Sequence, residues 1–123
     1  MKPFTRDEVE IRVTVSQDDI PVGGNAIASG DDTYDRQVEM EIMKRLDAGD
    51  IWAWAFVTVT ATWNSFSGES SLGACSYDNE EQFRAHDTFK DMVDDALANL
   101  TVTCEYAMAD LKYREKFLKN IGE

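Results

Sequence analysis

Between Phe89 and Ile121 the apolar residues return every three or four positions. Phe89, Met92, Val93, Ala96, Leu97, Leu100, Cys104, Ala107, Met108, Leu111, Leu118 and Ile121 fall on one arc of a helical wheel. Asp91, Asp94, Glu105, Lys112 and Lys116 fall on the other side. A continuous helix from about 88 to 121 is roughly 50 Å long at 1.5 Å per residue. A chain of 123 residues packs to a diameter of only roughly 35 Å. The helix therefore either breaks near Thr101-Val102-Thr103, where β-branched residues lower helix propensity, or overhangs its own domain. An overhang that supports a homodimer is expected. The charge order fits one helix: Asp87, Asp91, Asp94 and Asp95 lead, and Lys112, Arg114, Lys116 and Lys119 trail, matching the macrodipole.

Upstream the period changes. Val9, Ile11, Val13 and Val15 alternate with Glu10, Arg12 and Thr14, which predicts a strand with one wet face. A turn-rich stretch over 16–30 follows. It is long for a connector in a compact chain and is either mobile or put to use. Asp31 or Asp32 caps a helix over 31–48 with the stripe Tyr34, Val38, Ile42 and Leu46, closed by Gly49. Residues 51–63 read as the central strand, rich in aromatic and β-branched residues. One face carries Ala53, Ala55, Val57, Val59, Ala61 and Trp63, and the other Trp52, Trp54, Phe56 and three threonines. A loop over 64–68 leads to a third strand over 70–77, and Asp78 or Asn79 caps a short helix over 80–85. These elements predict one α+β domain. Its three-stranded antiparallel sheet is covered on one face by the 31–48 helix and a long C-terminal helix over 87–121.

Net charge is −12, from 24 Asp and Glu against 12 Lys and Arg, yet 43% of residues are hydrophobic, enough for a core. Such acidity argues against direct binding to nucleic acid or an anionic membrane, and toward a basic protein surface. The excess is local. Residues 16–50 hold nine acids against three bases, a net of −6, and 78–95 hold seven against two, a net of −5. Asp31, Asp32, Asp35 and Glu39, with Asp87, Asp91, Asp94 and Asp95, are the candidate acidic binding face if the blocks meet. If they do not, the acids serve solubility. The second candidate is the row Trp52, Trp54 and Phe56, which forms an interface if exposed. The alternative is that residues 1–7 or the 16–30 loop cover it.

Signals for catalysis, metal or cofactor are missing. Gly23-Gly24 and Gly30 lack the spacing of a phosphate loop, and no Gly-x-Ser-x-Gly elbow occurs. His86 is the only histidine, so no zinc set forms with Cys75 and Cys104, which read as reduced, buried thiols of a cytosolic protein. The Asp18-Asp19 and Asp31-Asp32 doublets lack EF-hand spacing. The N-terminus lacks the apolar stretch of a signal peptide, and no segment is long enough to span a membrane.

Three stretches carry a resemblance: Asp18-Asp19-Ile20-Pro21-Val22-Gly23-Gly24-Asn25 through Asp32, Leu46-Asp47-Ala48-Gly49-Asp50-Ile51-Trp52-Ala53-Trp54-Ala55, and Leu72-Gly73-Ala74-Cys75-Ser76-Tyr77. Together, over about residues 8–100, the chain resembles a family of small acidic proteins carried by bacteriophages and mobile elements. The family offers no catalytic residues to transfer. By analogy of size, charge and genomic habit, the resemblance implies an inhibitor of host defence akin to anti-CRISPR proteins. Such an inhibitor binds a basic surface, as of a CRISPR effector complex, as a DNA mimic in the cytoplasm of the bacterial host. The alternative is a phage accessory or structural protein that assembles through its C-terminal helix and tryptophan row.

Overall fold

The computed structural model describes residues 3–121. The elements are β1 (Glu10–Gln17), α1 (Asp32–Asp47), β2 (Ala55–Trp63), β3 (Phe66–Cys75), α2 (Glu80–Arg84) and α3 (Asp87–Ile121). Short 3-10 turns occupy Arg6–Glu8 and Ile51–Ala53. The strands form one antiparallel sheet in the order β1-β2-β3, so the expected α+β class is what the chain adopts.

Small side chains set how the sheet meets α3. Ala55, Val57, Val59 and Ala61 of β2 are fully buried, as are Ala96 and Leu100 of α3 above them. Gly68 of β3, paired with Ala61, makes the closest approach. A Cβ built there would lie 2.5 Å from the Ala96 carbonyl oxygen and closer still to the Leu100 nitrogen. The backbones of α3 and β3 therefore touch. Asn99 adds a hydrogen bond from its side-chain amide to the Glu69 carbonyl, at 2.8 Å. The hairpin end of this core is closed by aromatic residues: Phe4 packs on Trp63, and Trp63 stacks on Phe66.

Two local expectations change. Residues 51–53 are a 3-10 turn and not the start of the strand, because the Asp50 carboxylate accepts the Trp52 N–H at 3.1 Å and caps that turn. The hairpin loop is two residues, Asn64-Ser65, and not five; Asn64 takes a left-handed φ of 54°, which asparagine tolerates. Gly68 thus belongs to a strand.

Helix α1 starts at its Asp31 cap, whose carboxylate accepts the Thr33 and Tyr34 N–H groups. It packs chiefly against the 51–54 segment and the 16–30 loop, forming a second small core of Val22, Ile42, Ala53 and Trp54. It sits at the end of the sheet and not over its face as expected, because its apolar stripe packs on Val22, Ala53 and Trp54, and α3 alone lies along the strands' buried face. Arg45 in its last turn holds the Asp50 carboxylate at 2.8 Å and donates to the Tyr77 carbonyl. That ties the helix end to the chain before α2.

The 16–30 loop is pinned by side chains. Trp54 Nε1 donates to the Ile20 carbonyl at 2.7 Å, Asp18 accepts the Ile20 and Ala74 N–H groups, Glu39 accepts the Gly24 N–H, and Asp35 accepts from Ser29. Helix α3 does not break at 101–103. Thr101 and Thr103 each return a hydroxyl hydrogen bond to the carbonyl four residues back, which satisfies them inside the helix. Among the described residues, no helix is long and apolar enough to cross a membrane.

Candidate protein-binding surfaces

The acidic candidates divide by what holds them. Asp31 caps α1, and Asp35 and Glu39 are half-buried acceptors of loop N–H groups, so among the described residues only Asp32 of the four accepts no hydrogen bond. Asp87, Asp91, Asp94 and Asp95 are all exposed on α3. Helical geometry puts these four within about one third of the helix circumference, opposite the buried stripe. Among the described residues, no hydrogen bond or ion pair joins the two sets. The link from α1 to the start of α3 runs from Arg45 to Tyr77, and Tyr77 rests on Phe83 and His86. The α1 acids lie about 9 to 21 Å back along the axis from Arg45.

The aromatic row is not a row. Trp54 is 2% exposed, sealed by the 16–30 loop and α1. Trp52 sits in the 3-10 turn against Phe83 and Tyr77, with ring centroids 5.5 and 6.4 Å away. Phe56 alone faces outward, at 42% exposure. A strand-long period of two misplaced the tryptophans, because the strand begins only at Ala55.

A third surface emerges from α3. Its buried residues end at Cys104; from Glu105 to Asn120 every side chain is exposed except the half-buried Ala107. Sixteen residues of helix thus extend about 24 Å past the packed core. Leu111 and Leu118 continue the buried stripe into solvent, whereas Tyr106 (76% exposed), Tyr113 (70%), Phe117 and Val102 form a second apolar stripe on the opposite side. Sequence reading gave that side to charges and missed the stripe. The seven-residue spacing of Tyr106 and Tyr113 was the available signal.

Other polar features are structural. The Asp18 carboxyl is held below the usual range, chiefly by the Ala74 N–H and then by the Ile20 N–H. Glu8 is lowered by the Thr5 N–H and hydroxyl. Burial raises the Cys75 thiol, helped by the charge of Asp18, and burial alone raises Cys104. Both thiols are thus kept protonated and unreactive at neutral pH. A groove of about 450 Å³ beside α1 is lined by Ala26, Tyr34, Val38, Ile42 and Trp54, with Arg45 at its margin. No group of three metal-ligating side chains occurs among the described residues. No protein-family model, curated protein or solved structure matches the chain.

Proposed function

We propose that the chain is a non-enzymatic binding protein that assembles with another protein chain through α3. The carrying observation is the length of α3 beyond Cys104, where large apolar side chains stand in water on a helix that nothing in its own fold covers. Fully burying each such side chain contributes about 1.5–3 kcal/mol, so a partner surface gains much from covering several. As a phage accessory or structural protein, the chain would use this helix as its assembly element. The test is a photo-crosslinking residue placed at Tyr106, Tyr113 or Phe117, with Thr60 on the outer face of β2 as control. Adducts to protein confined to α3 are expected. Adducts from Thr60, with none from α3, refute the reading.

The exposed Asp87, Asp91, Asp94 and Asp95 favour a second reading, in which this acidic face engages a basic surface of a host defence or nucleic-acid-handling complex. A CRISPR effector mimicked with its DNA is one such case, met in the cytoplasm of a bacterial host. Electrostatic steering would make that binding fast and salt-sensitive. Reversing Asp91, Asp94 and Asp95 to lysine should abolish inhibition of the complex. Undiminished inhibition sinks this reading.

A further inference from the structure

We infer that the protein pairs with a second copy of itself through the outer face of α3, with the two helices antiparallel. This rests on α3 being the assembly element and names its partner. Along the outer face, Asp91, Asp95, Ala98, Val102, Tyr106, Ala109, Tyr113 and Lys116 succeed one another in steps of three or four, so they form one seam. All eight are exposed. The seam is acidic at its first end, apolar with both small and large side chains in its middle, and basic at its last end.

A sequence of that kind is complementary to its own reverse. Turned end for end about a two-fold axis between residues 105 and 106, the seam sets Asp95 against Lys116 of the second copy, with Asp91 and Asp94 nearby. Ala98 then meets Tyr113, and Val102 meets Ala109. Val102 and Tyr113 each face an alanine, Tyr106 lies at the axis beside its own symmetry mate, and each acidic end faces a basic one. A parallel pairing instead stacks acid on acid and base on base, which opposes it. The sheets lie on the far side of each α3 and do not obstruct the approach.

One contact opposes the pairing: Glu105 lies beside its own symmetry mate at the rim. The seam, about 38 Å long and about 10 Å wide, covers about 380 Å² per chain. At about 760 Å² in total the area is below that of stable specific interfaces, so the dimer is weak and transient, with a Kd of tens of micromolar or more, and weakens with salt.

Sedimentation equilibrium up to about 100 µM tests this on the full chain. The expected result is a reversible species of twice the 13.9 kDa chain mass. Because the two-fold axis doubles every change, Asp95→Lys alone and Lys116→Glu alone should each weaken the dimer about tenfold. The double variant should recover most of the loss. Glu105→Gln should tighten it about twofold, a gain that misfolding cannot produce. A monomer throughout overturns the self-pairing while leaving α3 open to another protein. A dimer insensitive to these changes, or one lost only on Leu111→Ser with Leu118→Ser, also overturns it, because the inner stripe would then be the seam.

Discussion

Replacing Gly68 with alanine should be among the most damaging single-methyl changes in this protein. The added Cβ would sit 2.5 Å from the Ala96 carbonyl oxygen and 2.7 Å from the Asn99 carbonyl carbon, with the Leu100 nitrogen nearer still. Ordinary non-bonded separation is about 3.5–4.0 Å, so α3 and β3 must part by about 1 Å. Every opposing atom is backbone, and no rotamer change relieves the clash. The helix moves as a unit, so the fully buried contacts of Ala96 and Leu100 over Ala55, Val57, Val59 and Ala61 loosen together. Overpacking costs about 1–3 kcal/mol. The collective displacement puts this case near about 3 kcal/mol, roughly a 10–15 °C fall in Tm for a chain of this size. Urea unfolding followed by circular dichroism gives the difference directly, with an unchanged m-value expected. Gly23→Ala is the control. A Cβ there meets nothing within 4 Å and the backbone has no positive φ, so a change within about 0.5 kcal/mol is expected. A Gly68→Ala loss below about 1 kcal/mol, or one equal to the control, would refute the close approach of α3 to β3.

Two further changes probe the end of the sheet. The Asp18 carboxyl is lowered in the folded state by N–H donors, so its contribution is present above the unfolded carboxyl value near about 3.9. It is lost as pH falls through the lower folded value. Asp18→Asn should therefore destabilise the protein at pH 7 by about 1–2 kcal/mol and flatten the loss of stability below about pH 4, measured by urea titration at several pH values. Trp54→Phe removes the donor to the Ile20 carbonyl. It should cost about 1–3 kcal/mol and speed hydrogen exchange in 18–26 while leaving 92–104 unchanged.

The sequence carried its periodic information faithfully. The alternation of Val9 to Val15, the alanine-rich face of β2 and the stripe from Phe89 to Cys104 all have the predicted form, because each face is dictated by one repeating environment. The losses occur where a single side chain overrides the period. Asp50 folds 51–53 into a capped turn, which removes Trp52 and Trp54 from the strand's alternation. Gly68 reads as a loop residue beside Asn64-Ser65. Its role as the helix contact depends on α3 crossing overhead, which no local pattern records. The 16–30 segment is turn-rich by composition, and its anchors, Asp18, Asp35, Glu39 and Trp54, become visible only with tertiary contacts. Among the proposed binding residues, three of the four acids that read as a surface on α1, Asp31, Asp35 and Glu39, serve as a cap and as loop acceptors. On α3 the acids stay free, because the buried stripe turns them outward.

Residues 105–120 of α3 form a helix that its own fold leaves uncovered, and the proposed function has a second chain cover it. Hydrogen exchange across α3, followed from high dilution to about 100 µM, tests that claim most directly. At dilution, amides of 105–120 should exchange far faster than those of 92–104, and protection should rise over 98–116 with concentration. Slow exchange of 105–120 at every dilution, or protection there that never responds to concentration or to any added partner, would contradict it.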